Sequence, residues 1–175
     1  SEVEMVAGAC PVTPMKALKN QTEISGFRQA HHYDGVAMVK FLHWLSGIES
    51  ARYTESQIAT TLEQFRSQQP EFLQPSFATI AGSGPNGAIV HYRAVAGQDR
   101  TLCDGDILLL DSGGQYQTGT TDITRTLLIG DGPPPSDVVD TFTHVLRGHI
   151  SLAMANFECG ASGQQLDGIA RLPLW

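Results

Sequence analysis

The stretch from Ile107 to Ile129 constrains this chain more than any other part of it. The apolar run Ile107-Leu108-Leu109-Leu110 ends in Asp111, and Ser112-Gly113-Gly114 follows with residues that tolerate a reversal. Asp122 then opens a second run, Thr124 to Ile129. Two such runs separated by glycine read as an antiparallel hairpin. If the register sets Asp111 directly opposite Asp122, both carboxylates lie on one side of the hairpin with Cβ atoms ~5 Å apart. A bulge among the glycines would shift that register.

Two carboxylates so placed repel each other and are costly to desolvate unless one is protonated or a cation lies between them. A divalent ion resolves the conflict. Oxygen ligation by aspartate suits Mn²⁺, Mg²⁺ or Co²⁺, and imidazole supplied from elsewhere admits Zn²⁺. Thr120, Thr121, Thr124 and Arg125 surround Asp122, and hydroxyl and guanidinium groups are those that orient ligating carboxylates. Either aspartate alone is equally readable as a turn residue beside glycine, and Arg125 as a partner in a surface ion pair.

The rest of the chain reads as long helices around this sheet region. Asn20 with Glu23 starts a helix that runs to about residue 48, with Ile24, Phe27, Val36, Val39, Leu42 and Leu45 as its apolar face. Thr54 with Gln57 starts a second helix, carried by Ile58, Leu62 and Phe65 and stopped before Pro70. From Phe77 onward β-like runs are expected at Ala78-Thr79-Ile80, Ala88 to Tyr92, Ile107 to Leu110 and Thr124 to Ile129. Pro133-Pro134-Pro135 closes the sheet, and Ser136 or Asp137 caps a third helix that reaches Met154. Ser162 with Gln165 starts a fourth. Residues 1–19 show no sustained period and read as a lead-in segment or linker, and 20–175 as one folded domain.

Composition excludes several classes. A net charge of −7 with no Lys/Arg cluster argues against nucleic acid or an anionic membrane as partner. No apolar run approaches the ~20 residues of a membrane helix. The polar start Ser1-Glu2-Val3-Glu4 is unlike a signal peptide, so a cytoplasmic location is the default. Cys10, Cys103 and Cys159 are too far apart for a metal finger and are expected as buried or free thiols. His31, His32, His43, His144 and His149 are expected to be structural or solvent-facing.

The segment from Asp111 to Thr126 resembles the metal-binding motif of the Xaa-Pro aminopeptidases (aminopeptidase P) of peptidase family M24. Pro14 to Glu23 is similar to the start of that catalytic domain, Phe77 to Tyr92 to its substrate-side strand, and Leu166 to Trp175 to a later helix. The resemblance implies half of a pita-bread (creatinase/aminopeptidase) α+β fold, with long helices packed on an antiparallel sheet. It implies that Asp111 and Asp122 are the aspartates shared by two divalent metal ions, Mn first with Zn or Co as alternatives. His91 then matches a histidine beside the substrate, and Thr124 and Arg125 support the ligands. The implied reaction is removal of the N-terminal residue from peptides with proline in second position. A prolidase or creatinase-type relative, or a non-catalytic peptide- or protein-binding module of the same fold, are the alternatives.

The same resemblance implies a further histidine and two glutamates as ligands, beyond Trp175. Residues 1–175 are therefore expected to hold half of the catalytic domain, to need its C-terminal half as partner, and to be inactive alone. A homodimer is compatible with this picture.

Overall fold

The computed structural model describes residues 8–175, so the lead-in reading of residues 1–19 lies outside the described residues over its first seven positions. The chain divides into two compact units, one ending at Gly130 and one spanning Asp131–Trp175.

In the first unit, a short helix α1 occupies Val12–Ala17 inside the segment read as linker; none of its residues is buried. Helix α2 covers Gln21–Leu45 and starts as its residues dictate. Asn20 Oδ1 accepts from the Glu23 N–H at 2.9 Å while Glu23 Oε2 accepts from the Asn20 N–H at 2.8 Å, which satisfies two amides the helix itself cannot pair. Its buried face is Gly26, Ala30, Asp34, Ala37, Met38 and Phe41 rather than the face built on the larger residues, and Val39 is exposed. Small residues won because this helix approaches another backbone closely, as described below. Helix α3 covers Glu55–Ser67 behind the Thr54/Gln57 box and buries Ile58 and Leu62.

The strands are β1 (Phe72–Pro75), β2 (Ile80–Ser83), β3 (Ile107–Ser112), β4 (Gly114–Tyr116) and β5 (Ile123–Leu128). All pairings are antiparallel, in the orders β2-β3-β5 and β1-β4. In β3, alternate residues divide the sheet into two faces. Leu108, Leu110 and Ser112 are buried, whereas Ile107, Leu109 and Asp111 are half-buried on the other face. The inward leucines join Met38, Phe41, Ile58, Leu62, Ala81, Leu102 and Ile129 in one core, edged by Trp44 and Phe65. Each fully buried leucine contributes about 2 kcal/mol by removing its side chain from water.

The expected strand from Ala88 to Tyr92 is not one. Gly84–Ala88 forms a turn of 3₁₀ helix, and a tight turn follows, closed by the Tyr92 N–H donating to the Ile89 carbonyl at 3.1 Å. The β-branched pair Ile89-Val90 favours a strand, but no strand among the described residues offers it a ladder; its side chains stay exposed. Strands β1 and β4, too short to show a period, are seen only in the structure.

The second unit pairs helix α4, Ser136–Met154, with helix α5, Gly163–Arg171. Pro135 rather than Ser136 or Asp137 precedes α4, and it makes no side-chain cap. The Ser162/Gln165 box of α5 forms as its residues predict. Gly148 is buried where α4 meets the Ala170 carbonyl so closely that no Cβ fits.

Candidate metal centre

Strand β3 carries Asp111 to the end of the sheet, and β5 returns alongside it. The register sets Asp111 opposite Thr124, not opposite Asp122. The shift is two residues, which keeps all three side chains on one face because strand side chains alternate with period two. Asp122 is thus the diagonal neighbour of Asp111, a relation that separates Cα atoms by about 7–8 Å. Thr124 fills the directly opposed place, and its hydroxyl donates to Asp111 Oδ1 at 2.8 Å.

The tip of the hairpin explains the shift. Tyr116 N–H donates to the Gly119 carbonyl at 2.8 Å, so Gln117 and Thr118 form the turn. Both are held from outside: Gln117 N–H donates to the Glu71 carbonyl at 3.0 Å and Thr118 Oγ1 to Glu71 Oε2 at 2.9 Å. Thr118 then rests against α2 at Gly26, where any Cβ would collide with the Thr118 carbonyl. Below the tip, Tyr116 is fully buried and donates to Asp34 Oδ1 at 2.9 Å. Asp34 also receives Arg66 Nε at 2.6 Å and Nη2 at 3.2 Å, with both residues buried. Gly113 closes the hairpin base, since a Cβ there would overlap the Thr121 carbonyl and the Ser76 hydroxyl.

Asp111 is half-buried and Asp122 exposed. Bonded on Oδ1 by Thr124, Asp111 has Oδ2 left to bind a cation. Two carboxylates on one face offer hard oxygen donors, so the side chains fit a divalent ion. Among the described residues, no three His, Cys, Asp or Glu side chains converge on one point. Arg125 stands opposite Leu110, on the other face of the sheet, and donates through Nη1 to the Thr124 carbonyl at 2.8 Å. It touches the backbone behind the two aspartates rather than a carboxylate.

His91 is exposed, and its φ of 57° lies in the left-handed region that few residues other than glycine adopt. The 84–88 segment that leads to it lies over the face that carries Asp111. Gly82, paired with Leu109, leaves no room for a Cβ beside the Asn86 carbonyl at 2.8 Å, and a Cβ on Gly87 would sit 3.5 Å from Leu109 Cβ. Leu109 and Asp111 share that face by alternation.

One cluster has no signal in the sequence. Glu55, the first residue of α3, has 0 % exposure, and its carboxylate accepts from four groups. Ser83 N–H donates to Oε1 at 2.7 Å, Arg100 N–H to Oε2 at 3.1 Å, Tyr92 Oη to Oε2 at 2.7 Å, and Asn86 Nδ2 to both oxygens at 3.0 and 3.1 Å. The bond to Glu55 pushes Tyr92 up to about 12, with burial and the Glu55 charge acting the same way. An acidic residue in a first helical turn is so common that Glu55 could not be singled out.

The remaining expectations concern isolated groups. His31, His32, His43, His144 and His149 are exposed, and His31 Nδ1 lies 2.8 Å from the Phe27 carbonyl. The three cysteines are free but exposed, not buried, because each falls outside the packed elements. No helix among the described residues is long and apolar enough to cross a membrane.

The sequence model of Metallopeptidase family M24 matches residues 25–175. The probable Xaa-Pro aminopeptidase P of Sordaria macrospora is 43% identical over 168 residues, which cover 94% of this chain and 27% of that protein. Xaa-Pro aminopeptidase 1 of Dictyostelium discoideum is 41% identical over 170 residues, with the same coverage of 94% and 27%. Among solved structures, the X-prolyl aminopeptidase of Caenorhabditis elegans superposes with a TM-score of 0.84 at 38% identity, covering 95% of this chain and 27% of that one. It is described as a cytosolic enzyme with a di-nuclear active site. The chain spans about a quarter of the length of the curated relatives it matches.

Proposed function

The chain belongs to metallopeptidase family M24, and from that premise we propose that its protein is an Xaa-Pro aminopeptidase with a dinuclear metal site. The fold is the corresponding α+β part of the pita-bread architecture. The observation that carries the proposal is the common face of Asp111, Asp122 and Thr124, under the segment that leads to His91.

In this reading Asp111 and Asp122 hold two divalent ions, Mn²⁺ first with Zn²⁺ or Co²⁺ as alternatives. Ions bound there would supply Lewis-acid polarisation of a peptide carbonyl and a more acidic water. Thr124 fixes Asp111 Oδ1, so that the carboxylate presents Oδ2 without rotational freedom. Arg125 steadies the β5 backbone through the Thr124 carbonyl. His91, on an exposed turn, positions the substrate or carries a proton. Only two of the donors such a site needs come from the described residues, so the remaining ligands come from further chain, and residues 1–175 alone are inactive. The likeness to the nematode enzyme supports a cytosolic location, and a homodimer is compatible with the reading.

The test is hydrolysis of a peptide with proline in second position by the full-length protein with Mn²⁺, beside Xaa-Pro dipeptides that a prolidase would prefer. Activity confined to the longer peptides supports the proposal. Activity and metal content that survive the joint change Asp111→Ala and Asp122→Ala overturn it.

A further inference from the structure

Glu55 is a buried carboxylate that bonds no cation among the described residues, yet every oxygen is paired. A buried charge is costly unless its hydrogen bonds are met, so four donors converging on it form one fixed unit. Two of those donors, Asn86 and Tyr92, bracket His91 on its own loop. The other two, Ser83 N–H and Arg100 N–H, belong to the backbone on either side of that loop. Asn86 Nδ2 also lies 3.0 Å from the Tyr92 hydroxyl, so the two ends of the loop meet each other as well as Glu55.

This clasp accounts for the backbone of His91. A non-glycine residue at φ 57° is strained and persists only where its surroundings over-determine it. The turn is closed at the Tyr92 N–H, and the Tyr92 side chain is in turn tied to Glu55 at 2.7 Å. His91 itself makes no hydrogen bond to the Glu55 carboxylate.

We infer that Glu55 is a positioning residue for His91, a buried anchor on α3 that holds the 84–92 loop so that the imidazole is presented over the Asp111 face. The inference rests on the reading of His91 as a substrate-side group. It goes beyond that reading by placing control of the group's geometry on a different element, with Asn86 and Tyr92 as the linkage.

The experiment uses the full-length protein with selectively labelled histidine, and His91→Ala identifies the His91 imidazole signals. Glu55→Gln replaces one acceptor oxygen by an amide that faces the Ser83 or Arg100 N–H; Tyr92→Phe leaves Glu55 in place and removes only the two bonds of the Tyr92 hydroxyl, to Glu55 and from Asn86. Tyr92→Phe is expected to move the His91 imidazole signals and to lower kcat on an Xaa-Pro peptide about tenfold, since small misplacements of a reacting group cost up to about a hundredfold. It should add no further loss in a His91→Ala background and leave the bound metal unchanged. Unmoved imidazole signals, with thermal stability lowered, would overturn the inference and leave Glu55 as a packing residue. A wild-type protein that cleaves no Xaa-Pro peptide would sink the proposed function, while the imidazole signals would still decide whether Glu55 positions His91.

Discussion

The Tyr116 hydroxyl reaches Asp34 Oδ1 at 2.9 Å, joining the hairpin tip to the middle of α2 across 82 residues of sequence. Asp34 is already bonded twice by Arg66 of α3, so one buried carboxylate ties together two helices and the hairpin that carries Asp111 and Asp122. Tyr116→Phe is expected to cost about 1.5–3 kcal/mol, the loss of one hydrogen bond to a charged acceptor. Asp34→Ala leaves the Arg66 guanidinium buried without its partner and should cost about 3–5 kcal/mol. Denaturant unfolding of the two variants measures both; equal midpoints would show that the triad does not act as described.

Gly26 is the point where α2 touches the hairpin turn. Gly26→Ala would normally stabilise a helix interior by about 1 kcal/mol. Here the added methyl meets the Thr118 carbonyl, backbone that cannot yield without moving the turn. Net destabilisation of about 1–3 kcal/mol is expected, with the larger part from overpacking. A variant more stable than wild type in thermal unfolding would show that the turn has slack.

Much of this was legible in the residues, and the exceptions have physical causes. Three capping boxes predicted three helix starts because each is a reciprocal pair of hydrogen bonds closed within four residues. The hairpin and the shared face of its aspartates followed from alternation. Its register did not, because Gly26, Glu71 and Asp34 set it from 46 to 92 residues away in sequence and no local pattern encodes them. The strand expected through His91 failed for a related reason. Ile89 and Val90 have the propensity, but Glu55 withdraws their flanking residues Asn86 and Tyr92 into a turn. The small residues of α2 give no such signal, because apolar periodicity weighs large side chains, whereas close backbone approach selects glycine and alanine.

Thr124 offers a test of the proposed metal centre that leaves both aspartates in place. Thr124→Val keeps the branched shape on β5 but removes the hydroxyl that holds Asp111 Oδ1. Loss of such an outer hydrogen bond typically weakens metal binding by about 10–100-fold. Calorimetric titration of the metal-free full-length protein with Mn²⁺ is expected to show a shift in that range, with Thr124→Ser restoring most of it. Arg125→Ala, whose target is a backbone carbonyl on the far face, should change the affinity far less.

The Tyr92 ionisation reports directly on the Glu55 clasp. Its hydroxyl must stay protonated to donate to Glu55 Oε2, and the bond raises it from 10.0 to about 12. A raised folded value means that the folded state favours the protonated form. The stability that Tyr92 contributes is therefore fully present below about pH 10, and it is lost as pH rises through about 12. The difference in tyrosinate absorbance between wild type and Tyr92→Phe should therefore titrate near pH 12. Glu55→Gln removes the negative charge that the Tyr92 hydroxyl faces, so in that background the same difference should move back toward 10. A wild-type difference that already titrates near 10 would mean the hydroxyl is free, and the clasp as described would not exist in solution.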